Sequence, residues 1–148
     1  EVATSQRVAE RDQGVYSMAL WAEQRANTAK TKSYLYYFAH AIPWPQHPEF
    51  GAFHTSEVPY VFHNLHLLDR PWTSTDQRLA DIVSSYWVNF ATKGDPNGKG
   101  LPVWQAFTPQ TPLFLRMDAN TVPMPLPAKA KREVFKEMLI GRDGKSAL

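Results

Sequence analysis

Apolar and polar positions along the chain alternate between helix-like and strand-like blocks. Residues 2–28 are rich in helix formers, with Val15, Met18, Ala19 and Ala22 making an apolar stripe at three- and four-residue steps. Gly14 is expected to separate two helices there or to bend one. "KSYLYYFAH" follows, an uninterrupted apolar and aromatic run that reads as a strand buried on both faces. Pro43, Pro45, Pro48 and Gly51 then crowd "AIPWPQHPEFGAF", so regular backbone hydrogen bonding cannot continue and a loop is expected. Residues Thr75 to Thr92 predict an amphipathic helix with Leu79, Ile82, Val83, Tyr86 and Phe90 on one face. Ser74 and Gln77 stand at capping-box spacing, and Gly94 is placed to end the helix. "TPLFLRMD" reads as a second strand, with Leu113, Leu115 and Met117 on one side and Phe114 on the other, and "VPMPLP" as extended chain. A last helix from about Pro127 should bury Val134, Phe135, Met138 and Leu139, leaving residues 140–148 as a loose tail.

The order is that of an α/β protein with two clear strands. Strands apolar on both faces need neighbours on each side and helices above and below, so part of a larger fold is expected. The 148 residues suffice for one domain with a sizeable core, and 43% hydrophobic with 20% charged residues is an ordinary globular mix. A formal net charge of +2 is too mild to argue for nucleic acid, which needs basic residues clustered on one face. The densest basic stretch, Lys129, Lys131, Arg132, Lys136, Arg142 and Lys145, is interspersed with Glu133, Glu137 and Asp143 and reads as a solvated helix face and tail. The absence of cysteine excludes disulfides, zinc-thiolate sites and thiol nucleophiles. No run approaches the length of a membrane span, and "EVATSQRVAE" lacks the apolar core of a signal peptide. An opening Glu already in helical pattern leads us to expect an upstream portion, and any export signal would lie there; secretion or periplasmic location is left open.

"PEFGAFHTSEVPYVFHNL" gathers two of the five histidines with Glu49 and Glu57, and His47 and His66 flank it. His63 and His66 stand three apart and Glu57 could add an oxygen, which allows a small metal-binding domain using His54, Glu57, His63 and His66; the chain has no HExxH. His40 and His47 read as polar loop residues. His54 sits in a loop leaving the C-terminal end of a strand, the edge where open α/β sheets bind ligands, and Gly51 and Phe53 could hold it as a general base would need. The plainer reading, a structural loop histidine, stays open from the residues alone.

"GAFHTSEVPYVFHNL" resembles the catalytic-histidine segment of type B carboxylesterases, the cholinesterase and p-nitrobenzyl esterase branch of the α/β-hydrolases. "SYLYYFAH" is similar to the strand before the family's histidine loop, "YWVNFATKGDPNGKGLPVWQAF" to the following helix and its exit, and "PLFLRMD" to the last strand. The resemblance implies that residues 1–148 are the C-terminal part of an α/β-hydrolase fold, its last strands with flanking helices, with the histidine loop at 40–65. It implies His54 as the general base of a Ser-His-acid triad acting on carboxylic esters, with no cofactor or metal. Glu57 matches the family's glutamate near the site, which is not the triad acid; it could equally cap the short "SEVPYVF" helix. Trp44, Phe53 and Phe62 could line the acyl or alcohol pocket, or pack in the core. No serine has the G-x-S-x-G context, and in this fold the order is Ser, acid, His. Glu10, Asp12 and Glu23 lie on the opening helices and Glu49 is too close in sequence to His54. The nucleophile, oxyanion hole and acid are therefore expected from an N-terminal portion, without which the chain should be inactive. A cholinesterase-like binding module without catalysis is the alternative.

Overall fold

Helix formers at the start, a β-branched and aromatic middle and proline-rich joints produce, in order, α1 (Val2–Thr28), β1 (Tyr36–Phe38), α2 (Val58–Val61), α3 (Ser74–Lys93), β2 (Leu113–Met117), β3 (Val122–Pro125) and α4 (Lys129–Ile140). Single 3-10 turns at Pro48–Phe50 and Leu65–Leu67 punctuate the connections on either side of α2. This is a computed structural model, and it describes residues 2–126 and 129–140. The start of the last helix at Pro127 and all but the first residue of the expected tail lie outside the described residues.

The strands form one sheet in the order β1-β2-β3. β1 and β2 pair in parallel, Tyr36 opposite Leu115 and Phe38 opposite Met117. Parallel neighbours require a long crossover, which α3 and its flanking loops supply; the connection from β2 to β3, residues 118–121, is far too short for one and makes that pair antiparallel. The sheet is therefore mixed. β1 is shorter than the apolar run around it, and Tyr36 at its start is 36% exposed. The expectation of a strand buried on both faces is not met, since Tyr37 and Phe38 are only half-buried, and β1 has only β2 beside it among the described residues.

The chain divides into two compact units. In the first, formed by residues 1–35, 106–114 and 124–148, α1 packs on α4. α1 runs without a break through Gly14. Its buried stripe is Asp12, Tyr16, Ala19, Leu20 and Ala22, while Met18 is exposed, so the inward face is rotated from the expected one. Tyr16 stacks on Phe135 with centroids 4.7 Å apart, and Asp12 receives Lys131 at 2.7 Å. On α4 Phe135 faces inward as expected, but Val134 and Met138 are exposed, against expectation.

The second unit, residues 36–105 and 115–123, holds α2 packed on α3, with Tyr60, Leu79, Ala80, Val83 and Tyr86 buried. α3 opens one residue earlier than the sequence suggested: Thr73 and Asp76, not Ser74 and Gln77, form the reciprocal capping box. It closes at Gly94, whose φ of 71° is the left-handed conformation that residues with a Cβ resist. The turn beyond is fixed by Asn97, which donates to the Trp104 carbonyl and accepts from its N–H at 2.9 and 2.7 Å. Tyr86 donates to the Pro102 carbonyl at 2.7 Å, and burial pushes its phenol up to about 12.

Candidate functional site

Two parallel strands that end together present their last residues side by side. His40 lies two residues past β1 and Asp118 one past β2, so the imidazole and the carboxylate meet beyond the strands' C-terminal ends. His40 Nδ1 stands 3.2 Å from Asp118 Oδ1, and Nε2 stands 2.8 Å from Oδ1 of Asp76 in the first turn of α3. The His40 side chain is 13% exposed and that of Asp76 only 3%. It is thus not the simple polar loop residue expected from the sequence.

Asp76 collects every donor around it. Its Oδ1 also accepts from the Tyr60 hydroxyl at 2.7 Å, and its Oδ2 accepts from the backbone N–H of Thr73 at 2.8 Å and the Thr73 hydroxyl at 2.6 Å. Burial alone would raise the Asp76 carboxyl, but the bonds from Thr73, His40 and Tyr60 outweigh it and hold it below the ordinary 3.8. Asp118 is also held down: burial opposes, and the Ala119 N–H, His40 and Arg116 prevail. Burial, then the neighbouring Asp76, pushes the Tyr60 phenol up, so Tyr60 keeps the proton it donates. Four residues from four places in the chain, the buried Tyr60 and Asp76 and the half-buried His40 and Asp118, therefore form one charged cluster. Their types carried no local motif; the signal available was the capping box at Thr73–Asp76 and the position of His40 and Asp118 at strand ends.

The loop after His40 folds on its own rings. Trp44 lies 5.3 Å from Phe50 and 6.0 Å from Phe53, and His47 stacks on Phe50 at 5.0 Å. The Arg70 guanidinium covers Trp44 at 4.2 Å from the ring centroid and reaches the Pro43 carbonyl at 3.4 Å. The structure thus unites Trp44 and Phe53. Phe62, grouped with them from the sequence, is 70% exposed and takes no part in this cluster.

His54 begins the turn that leaves the aromatic cluster. It is exposed, and its ring has no hydrogen-bond partner among the described residues. The turn is held by backbone bonds from Ser56 to Phe53 at 3.0 Å and from Val58 to Thr55 at 3.2 Å. Thr55 takes a φ of 69°, a left-handed conformation unusual for a β-branched residue, and its hydroxyl bonds back to the His54 carbonyl. Such strain at one residue next to a candidate catalytic side chain fits the tendency of functional turns to store it. Ser56 is 2% exposed, and its hydroxyl has no partner among the described residues.

Glu57 occupies the N-cap of α2, yet its side chain makes no capping bond. Its backbone is already helical (φ −76°, ψ −21°), whereas a capping side chain needs extended backbone to reach the next turn's N–H groups. The expected cap is therefore not made. His63 pairs with Asp81 at 2.6 Å. Among the described residues no three His, Asp or Glu side chains converge as metal ligands would, so His54, Glu57, His63 and His66 do not assemble the metal site considered from their spacing. No described helix is long and apolar enough to cross a membrane.

The chain is similar in sequence and fold to known proteins. The chain is 31% identical over 100 residues to bile salt-activated lipase of Homo sapiens, covering 65% of this chain and 13% of that protein. The corresponding figures for cocaine esterase of Homo sapiens are 36% over 78 residues, 50% and 14%. Among solved structures, a thermophilic PNB esterase superposes with a TM-score of 0.63 at 25% identity, over 77% of this chain and 23% of that one; a PNB esterase gives 0.61, 27%, 78% and 23%. The chain spans less than a quarter of the length of these relatives. Its small mixed sheet with flanking helices resembles part of their α/β-hydrolase fold. The family profile described as Carboxylesterase family matches residues 8–137, nearly the whole described chain, and this chain belongs to the carboxylesterase family.

Proposed function

We propose that this chain is the C-terminal portion of a type B carboxylesterase and that it contributes His54 as the general base for hydrolysis of small to medium carboxylic esters. The observation that carries the reading is the placement of His54: exposed, its ring unengaged by the described residues, on a turn fixed by backbone bonds and rooted in a charged cluster at the strand ends. That is what a proton shuttle requires, a ring free to meet a substrate on a hydrogen-bonded support. His54 takes the proton of a serine hydroxyl as the oxygen attacks the ester carbonyl, and returns it to the departing alcohol. It then takes a proton from water, whose oxygen cleaves the acyl-serine, and returns that proton to the serine. Glu57 supports the site from the following residue turn, and Trp44 and Phe53 line the approach.

The serine, the oxyanion hole and the acid belong to an N-terminal portion of the enzyme. Two observations support this: no G-x-S-x-G occurs in the sequence, and the outer edge of β1 has no strand paired to it among the described residues. Native followed by denaturing mass spectrometry of the purified protein tests it. A second, larger chain travelling with this one, labelled on serine by a fluorophosphonate, is the expected result. Turnover of a short-chain p-nitrophenyl ester by the pure 148-residue chain, abolished in His54→Ala, would overturn the division of labour.

A further inference from the structure

We infer that His40 is a half-buried imidazolium, with a hydrogen on each ring nitrogen in the folded chain, and that it acts as the positioning residue for the turn carrying His54. The second half rests on the reading of His54 as the general base; the first does not.

The argument starts from who can donate. Both Asp76 oxygens are filled by donors: Tyr60 and His40 on Oδ1, the N–H and hydroxyl of Thr73 on Oδ2. The Tyr60 phenol and the Thr73 N–H have protons to give, so the carboxylate needs none of its own and stays acceptor-only. His40 Nε2, 2.8 Å away, must then carry a hydrogen. Asp118 is engaged in the same way: Oδ1 accepts from the Ala119 N–H at 2.8 Å and Oδ2 from Arg116. His40 Nδ1, 3.2 Å from that Oδ1, must also carry a hydrogen. A neutral imidazole has one N–H, and two are required.

Charge balance agrees. The groups facing the ring are Asp118 with its partner Arg116 from β2, Asp76 from α3, the neutral Tyr60 from α2 and the Phe38 ring from β1. Among the groups that touch the ring and their bonded partners, two carboxylates and one guanidinium leave a single negative charge, to which an imidazolium is complementary; Arg70 acts through space on Tyr60 and makes no bond to either carboxylate.

The path to His54 is short. His40 and Tyr60 share one oxygen of Asp76, and from Tyr60 the backbone bonds run back to Glu57, from Val58 to Thr55 and from Ser56 to Phe53. α2 is too short to hold itself, having one turn and no side-chain cap, so the anchor at Tyr60 sets where the turn sits. Loss of the charge at His40 leaves two facing carboxylates to repel each other and loosens that anchor.

The test is nitrogen-15 NMR of the full 148-residue chain labelled on histidine, at pH 7.5. The expected result is imidazolium-type shifts with a proton on each ring nitrogen of His40; one unprotonated ring nitrogen overturns the charge assignment, with no variant needed. Amide exchange in His40→Gln then tests positioning. Exchange of Ser56, Val58 and Tyr60 is expected to rise at least tenfold while Leu20 and Ala22 of α1 are unchanged; unchanged exchange at all five positions overturns it, and a rise at all five marks global destabilisation and does the same. In the enzyme completed by its serine-bearing portion, His40→Gln should lower kcat with KM little changed. If His54→Ala leaves that enzyme fully active, the general-base reading fails while the NMR and exchange results still stand or fall by themselves.

Discussion

Replacing Asp76 with asparagine alters one atom and one charge, and the structure shows why so small a change should be severe. The carboxylate takes two donors on each oxygen, within 2.6 to 2.8 Å, and its side chain is 3% exposed. Asparagine keeps one oxygen and puts an NH2 where the other was, so whichever way it is turned, one pair of donors meets a donor. The Tyr60 and Thr73 hydroxyls can rotate to accept. The Thr73 N–H cannot, and His40 Nε2 can do so only by giving up its proton, so either a donor is stranded or the charge-assisted bond to His40 is lost. A hydrogen bond to a charged group is worth roughly 1.5–3 kcal/mol, and breaking a buried ion pair from one side costs about 3–5 kcal/mol. We expect a loss of about 3–5 kcal/mol, a fifth or more of the roughly 5–15 kcal/mol of a typical domain. In urea, with a slope of about 2 kcal/mol/M, the midpoint should fall by about 2 M at unchanged slope. Asp81→Asn is the control, because the His63–Asp81 pair is exposed on both sides and should shift stability by less than about 1 kcal/mol. If Asp76→Asn moves the midpoint no more than Asp81→Asn does, the four-donor description of Asp76 is wrong.

Two glycines should respond with opposite signs. Gly94 holds a φ of 71°, so although a Cβ there meets nothing within 4 Å, Gly94→Ala should cost about 1 kcal/mol through backbone strain alone. Gly14 lies inside α1 with equally open space, and Gly14→Ala should stabilise by about 0.5–1 kcal/mol; urea midpoints read both. Acid stability follows from three aspartates. Asp12, chiefly through its bond from Lys131, and Asp76 and Asp118, through the bonds described above, all ionise below 3.8 in the folded chain. A carboxyl lowered on folding stabilises fully above its unfolded value and loses that contribution as pH falls through the folded one. Through these three carboxyls the melting temperature should therefore drop steeply below about pH 4. A flat profile down to pH 2 would contradict it.

Local chemistry made some elements legible and left others obscure. α3 could be read from its apolar spacing and from Gly94, because both signals act within one or two turns. Its capping box was assigned one residue late, since "TSTDQ" offers several hydroxyls and only the packing of Asp76 against His40 and Tyr60 selects Thr73. α4 misled because periodicity fixes the spacing of an apolar face and not the area of what it meets. The face it offers to α1 is narrow, so Phe135 packs on Tyr16 while Val134 and Met138 face water. β1 was read as central from its composition, though its outer edge is unpaired among the described residues.

The site divides along the same line. His54 was found because its neighbours in sequence form a recognisable segment. His40 was passed over because its partners lie 36 and 78 residues away and have no spacing in common. Yet parallel pairing makes that convergence almost obligatory: Phe38 opposite Met117 puts the residues just past both strands at one edge, and the crossover helix that joins them returns its N-terminal turn toward that edge. A histidine on one strand end, an aspartate on the next and an aspartate at the third position of the helix are then neighbours by topology. The exposed histidine that we propose for catalysis and the half-buried one that we propose for positioning are thus consequences of one arrangement. The strand ends gather charge, the buried part of it satisfies itself, and the loop rooted there carries His54 outward.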